Sequence, residues 1–259
     1  MGDIAGLLLD IDGVLTVSWE PIPGAVEALG WLRERGIPFR LITNTTTHAR
    51  DELAATLREA GFDVRAEEVV TAVVATASYL RTHHPGAGVF VLSDGDPRGD
   101  LEGVRLVGLE EADVVVLGGA CEDFSYPTIN RVFQRLMAGA SLVGMHRNLY
   151  WRTSEGLQLD AGAYIAGLEE ATGRPAVICG KPALAFFEEA LRLLGVPAER
   201  AAMVGDDVVN DVLGAKRAGL LGVLVRTGKF LPSDLALEAE GPDAVLGSIA
   251  DLPAWLEAR

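Results

Sequence analysis

Eight short runs of near-continuous apolar residues punctuate this chain, at 5–9, 37–43, 88–92, 113–117, 141–144, 176–179, 201–204 and 221–225. They do not alternate polar with apolar, so they predict strands buried on both faces, as in a parallel sheet covered by helices. The stretches between them carry helical periodicity. Segments 23–35, 47–60, 182–194 and 208–218 stop at Gly36, Gly61, Gly195 and Gly219, and glycine is favoured just past a helix C-terminus. Pro182 is expected at the first helical position of its segment. Strand and helix in alternation give the expected fold class: α/β, a doubly wound parallel sheet.

Composition removes other classes. With 49% hydrophobic and 23% charged residues, the chain is too apolar for disorder. At 259 residues it can bury one large core or two modest ones. A net charge of −15 argues against nucleic acid as a partner, because phosphate contacts dominate that affinity. It equally disfavours an anionic membrane surface. An anionic substrate would need a local cation. Cys121 and Cys179 lack metal-ligand spacing and are expected as buried thiols. The N-terminus has no signal-peptide pattern, and no apolar run approaches the roughly 18 residues of a membrane span. A soluble cytoplasmic protein is the expectation.

In open α/β sheets, ligands bind beyond the carboxyl ends of the strands. The first run is followed by Asp10-Ile11-Asp12-Gly13-Val14-Leu15-Thr16, and the second ends in Thr43-Asn44. The sixth leads into Gly180-Lys181-Pro182, and the seventh into Gly205-Asp206-Asp207-Val208-Val209-Asn210-Asp211. If these ends share one sheet edge, their side chains converge on one pocket. Each has a plainer reading alone. Thr43 and Asn44 could cap the next helix, and Asp206, Asp207 and Asp211 suit the first turn of a helix. Together they are harder to dismiss. Carboxylates 4 Å apart repel by about 4 kcal/mol at an effective dielectric near 20, and a hard divalent cation is the usual counterweight.

The four motifs in this order resemble those of the haloacid dehalogenase-like phosphohydrolase superfamily, over essentially the whole chain. Lys181 stands 138 positions after Thr43, whereas Thr43 follows Asp12 by 31. That spacing suits the branch with a large α/β cap inserted after the second motif, which includes nitrophenylphosphatases and pyridoxal phosphatases. Catalytic-core segments are then expected at 1–75 and 179–259, with the cap at 76–178. Lesser motifs look most similar to the group of phospholysine phosphohistidine inorganic pyrophosphate phosphatases and their sister proteins: Phe124-Ser125-Tyr126, Gly156-Leu157, Arg226-Thr227-Gly228-Lys229-Phe230 and Pro232-Ser233-Asp234.

The resemblance implies a Mg2+-dependent phosphatase acting on a small phosphorylated metabolite. Asp10 would be the nucleophile and a metal ligand, and Asp12 the general acid and base, lending its backbone carbonyl to the metal. Asp206 would be the second carboxylate ligand, with Asp207 and Asp211 orienting neighbours or metal-bound waters. Thr43 and the Asn44 backbone would bind phosphoryl oxygens, and Lys181 would neutralise the transferring group. Cap candidates for substrate contact are His146, Arg147, Tyr150 and the 160–164 turn, against the plainer reading that such aromatics pack in the cap. Relatives include cap-to-cap dimers, so a homodimer is open. The competing class is a phospholigand-binding or receiver-like signalling protein using the same Asp, Thr and Lys without turnover; motif order and the long insert weigh against it. A Walker A loop and a dinucleotide-binding glycine motif are absent.

Overall fold

The computed structural model describes residues 4–153, 156–232 and 241–259, with 151–153 described as backbone only. Ser233, Asp234 and the side chain of Trp151 lie outside the described residues. The chain divides into two compact units: Met1–Thr43, Arg50–Val70 and Lys181–Arg259 form the first, and Asn44–Ala49 with Thr71–Gly180 the second. Among the described residues, no helix is long and apolar enough to cross a membrane.

The first unit is built on a six-stranded sheet. Its order is Ala244–Leu246, Leu221–Val225, Ala201–Gly205, Gly6–Asp10, Phe39–Thr43 and Val69–Thr71. The pairings from Phe39–Thr43 across to Ala244–Leu246 are parallel. Leu7 and Leu9 pack on one face with Leu29 and Leu32 of helix Ala25–Glu34, and with Leu53 and Leu57 of helix Arg50–Glu59. Helix Leu184–Leu194 contacts strands Gly6–Asp10 and Phe39–Thr43. Leu8, between two residues of the first face, is also fully buried. Both faces of the central strand are therefore dry, which its unbroken Leu7-Leu8-Leu9 run required. Each such leucine contributes about 1.5–3 kcal/mol of transfer free energy.

Topology places the site. From Gly6–Asp10 the chain winds one way through Phe39–Thr43, then returns and winds the other way from Ala201–Gly205. The winding reverses between Gly6–Asp10 and Ala201–Gly205, and a doubly wound sheet opens its ligand crevice at such a point. The register pairs Leu9 with Val204 and Asp10 with Ile42. Asp10, Thr43 and Gly205 therefore finish at one edge, with Asp206 immediately beyond.

The second unit has its own five-stranded parallel sheet, ordered Val177–Ile178, Ser141–Gly144, Val114–Leu117, Gly88–Leu92 and Arg105–Leu106. Val115 and Leu117 face Val132, Leu136, Ile165 and Leu168. Val114 and Val116 face Ala72, Val73, Ala77 and Leu80. An antiparallel hairpin, Tyr150–Thr153 with Gly156–Leu159, accompanies it.

The runs at 88–92, 113–117, 141–144 and 176–179 belong to the second sheet. Two expectations need correction. The run before Lys181 pairs with that second sheet, Val177 opposite Val143. Lys181 therefore does not close a strand of the sheet that carries Asp10. Pro182 precedes Ala183, the cap of Leu184–Leu194, rather than occupying its first helical position. Segment 208–218 is helical as expected, with a π-type helix at Val208–Leu213 running into the short α-helix Gly214–Arg217.

Candidate active site

Three carboxylates and an ammonium meet in the first unit. Asp10 is the last residue of its strand and 6% exposed. Lys181, 5% exposed, donates from Nζ to Asp10 Oδ1 at 2.7 Å and to Asp211 Oδ1 at 2.7 Å. Asp211 is wholly buried in the π-type helix, where its Oδ2 also accepts from the Asp207 backbone N–H at 3.2 Å. Asp206, 1% exposed, follows strand Ala201–Gly205. One carboxylate oxygen from each of Asp10, Asp206 and Asp211 lies within 4.8 Å of the other two.

Three buried acids against one base leave an excess of negative charge. Burial pushes the Asp10 carboxyl above its ordinary range; Lys181 opposes this and Asp206 adds to it. Burial likewise raises Asp206, with Asp211 adding. Asp211 is pushed up to about 7, chiefly by burial and then by Asp10 and Asp207, against the pull of Lys181. Burial alone would lower the Lys181 value, but Asp10 and Asp211 outweigh it and hold the ammonium charged.

The donor set fits a hard divalent cation. It is all oxygen, it is anionic, and Asp206 Oδ1 is buried with no hydrogen-bond partner among the described residues. A buried unpartnered carboxylate oxygen is costly, and Mg2+ is the kind of ion that carboxylate oxygens satisfy.

Protonation of Asp211 links stability and cation binding to pH. Asp211 titrates at about 7 in the folded chain against an ordinary 3.8. Its folded value is raised, so the stability it contributes is complete below about pH 4 and disappears as pH climbs through 7. Metal-free protein is expected to lose melting temperature over that window by more than Asp211→Asn does. A cation must displace the same proton. Mg2+ titrated calorimetrically at pH 6 should therefore release protons, giving heats that change with buffer ionisation enthalpy. Buffer-independent heats would contradict this.

The remaining sequence candidates fall in different places. Thr43, 6% exposed, ends its strand at the same sheet edge as Asp10. Asp12 is exposed, in a tight turn where Gly13 N–H donates to the Thr16 carbonyl at 2.7 Å. Asp207 caps the π-type helix: its carboxylate accepts from Val209 N, Asn210 N and Asn210 Nδ2. Asn44 begins the second unit, where its Oδ1 lies against Gly180.

His146 is 3% exposed inside the second unit, 3.8 Å from Asp160 Oδ1, and accepts from Asn148 N–H at Nδ1. Burial lowers its pKa, so it is an interior imidazole there. Arg147 pairs with Glu169 at 2.5 Å. Asp160 caps helix Ala161–Thr172, and Tyr164 packs on Phe124 with ring centres 5.0 Å apart. Tyr150 is 61% exposed. Cys179 is buried with its thiol pushed up to about 12, whereas Cys121 is half-buried.

One participant stood out in the sequence only as a lesser motif, with no place at the site. The loop after strand Leu221–Val225 brings the Lys229 N–H to Asp206 Oδ2 at 2.6 Å. The rule that singled out the other loops, that ligands bind beyond the carboxyl ends of strands, applies to this loop equally and would have found it.

Comparison with known proteins gives a consistent result. The family model "Haloacid dehalogenase-like hydrolase" matches residues 7–109, and a second, HAD-hydrolase-like model matches 178–252. The human haloacid dehalogenase-like hydrolase domain-containing protein 2 is 37% identical over 231 residues, 89% of this chain and 87% of the relative. Human phospholysine phosphohistidine inorganic pyrophosphate phosphatase is 37% identical over 240 residues, 90% of this chain and 87% of that one. Among solved structures, a p-nitrophenyl phosphatase from Archaeoglobus fulgidus superposes with a TM-score of 0.90 at 30% identity, covering 100% of both chains. NagD from E. coli K-12 gives 0.88 at 27% identity, covering 96% of this chain and 98% of that one.

Proposed function

This chain belongs to the haloacid dehalogenase-like hydrolase family, and from that premise we propose that it is a Mg2+-dependent phosphatase working through a phosphoaspartate at Asp10. The observation that carries the reading is the buried trio Asp10, Asp206 and Asp211, with Lys181 bridging two of them and Asp206 Oδ1 left unpartnered among the described residues.

A carboxylate oxygen of Asp10 attacks phosphorus, and the bond from phosphorus to the leaving oxygen breaks. Asp12 gives its proton to that leaving oxygen. Asp12 then takes a proton from water as the water attacks the phosphoaspartate, releasing inorganic phosphate and restoring Asp10. Lys181 holds Asp10 in place and offsets charge on the transferring group, and Thr43 and the Asn44 backbone bind its oxygens. Asp10, Asp206 and the Asp12 backbone carbonyl would hold Mg2+, with Asp211 beside them, and the ion would supply charge neutralisation. Residues 76–178 are assigned the role of cap, which excludes water and selects the leaving group. The buried position of His146 supports a part in cap architecture more than in substrate contact.

The test is phosphate release from p-nitrophenyl phosphate, pyrophosphate, phospholysine and a set of sugar phosphates, each with Mg2+ and with chelator. Release that depends on Mg2+ is expected, and the best compound defines the substrate class. Folded protein that binds Mg2+ yet releases phosphate from none of them would instead favour a phospholigand-binding protein.

A further inference from the structure

The loop of Thr227, Gly228 and Lys229 is built around one carboxylate. Asp206 Oδ2 accepts the Lys229 N–H at 2.6 Å. Gly228 has φ +61, and a Cβ there would sit 2.0 Å from Asp206 Oδ2 and 2.5 Å from Gly13 Cα. Gly13 has φ +86, and a Cβ there would sit 2.1 Å from the same oxygen and 3.0 Å from Gly228 Cα. No side chain fits at either position without moving the carboxylate, and both backbones are in the region that glycine alone adopts readily. Thr227 Oγ1 closes the arrangement by donating to the Gly13 carbonyl at 2.5 Å. The turn it reaches is the one that carries Asp12.

Two glycines thus press on Asp206 Oδ2, one N–H holds it, and a threonine ties the two loops together. Oδ1 of the same carboxylate is buried and unpartnered among the described residues. Nothing in ordinary packing calls for so much backbone around an oxygen while its twin is left bare. A cation ligand does call for it: one oxygen fixed by outer hydrogen bonding aims the other. The Lys229 ammonium adds favourable charge toward Asp10 and Asp206.

We propose that Thr227, Gly228 and Lys229 form a clamp that positions Asp206 Oδ1 for a divalent cation and couples that ligand to the Asp12 turn. The proposal rests on the metal reading above and adds residues that act through Asp206, not on substrate. The clamp sets cation affinity, and the Thr227 bond keeps the acid-bearing turn in step with the ligand.

Mg2+ alone, as its chloride, is titrated calorimetrically into wild type, Gly228→Ala, Thr227→Val, Thr227→Ser, Asp206→Asn and Gly219→Ala. Gly219 shares a positive φ of +85, but a Cβ there would meet Ala198 at 3.5 Å, so it controls for backbone strain alone. The clamp predicts about tenfold or greater weakening of Mg2+ binding in Gly228→Ala and about threefold or greater in Thr227→Val, a readout independent of turnover. Thr227→Ser and Gly219→Ala should stay within about twofold of wild type. Equal affinity in wild type, Thr227→Val and Thr227→Ser would overturn the clamp even if Gly228→Ala does not fold. Weakening by Gly219→Ala as large as by Gly228→Ala would overturn it too. Mg2+ binding undiminished in Asp206→Asn, or absent in wild type, would instead remove the metal reading itself.

Discussion

Asp10→Asn is expected to abolish turnover while making the metal-free protein more heat-resistant. In the proposed mechanism the first effect is the loss of the attacking oxygen: removing a nucleophile costs at least about 1,000-fold in kcat. The second comes from charge. Asp10, Asp206 and Asp211 crowd their carboxylates within 4.8 Å with Lys181 between two of them. Neutralising Asp10 removes one repelling charge and leaves Lys181 its bond to Asp211. Site strain of this kind stabilises the protein when relieved and costs activity. Phosphate release at saturating Mg2+ reads the first effect, and melting in chelator the second. Activity within tenfold of wild type would exclude Asp10 as nucleophile. A lower metal-free melting temperature would show that the trio is not under net repulsion.

Lys181→Met should be the most destabilising single change at the site. It removes the ammonium that satisfies Asp10 and Asp211 together, both at 2.7 Å and all three groups buried. Breaking a buried ion pair from one side typically costs about 3–5 kcal/mol. The loss should depend on pH in a fixed direction. Without Lys181 the Asp211 carboxyl, already raised to about 7, moves higher still. It is neutral and tolerable at pH 5, whereas at pH 8 the folded chain must either hold that proton against an ionised unfolded state or bury an uncompensated charge. Urea unfolding in chelator should show a large deficit at pH 8 that shrinks at pH 5, and Mg2+ should restore part of it. A deficit below about 1 kcal/mol at pH 8 would mean that Lys181 does not carry this charge balance. Turnover should fall with it, since the proposed mechanism has Lys181 oppose the charge on the transferring phosphoryl group.

The two predictions share a cause that the sequence displayed only in part. Asp10, Asp206, Asp211 and Lys181 each stood out by coming after an apolar run, because strand ends are where an α/β sheet offers side chains to a ligand. Their roles were less visible. Asp207 and Asp211 look alike as acids in one turn. The structure separates them: Asp207 is spent on capping, and Asp211 turns inward to Lys181. A difference of a few residues in a π-type helix decides this, and spacing alone does not reveal the π type. His146 is a second case in which spacing does not reveal surroundings. A histidine after a strand suits a ligand contact, but the second unit folds it inside against Asp160.

By itself the sequence determined that parallel sheets form, which residues end their strands and what chemistry those ends carry. Unbroken apolar runs and the residues that terminate them are local properties, written in consecutive positions. The apolarity of a run does not say to which sheet it belongs; only the motif spacing pointed to an inserted segment. The run at 176–179 is as apolar as that at 201–204, yet the first pairs with Ser141–Gly144 and the second with Gly6–Asp10. A strand buried on both faces looks the same in either sheet, because burial fixes residue type and not partner. Nor could the sequence show that Gly13 and Gly228, 215 positions apart, press on one oxygen of Asp206. That depends on backbone packed so closely that a Cβ at either glycine would lie about 2 Å from Asp206 Oδ2, and close approach of distant backbone is what tertiary structure alone decides.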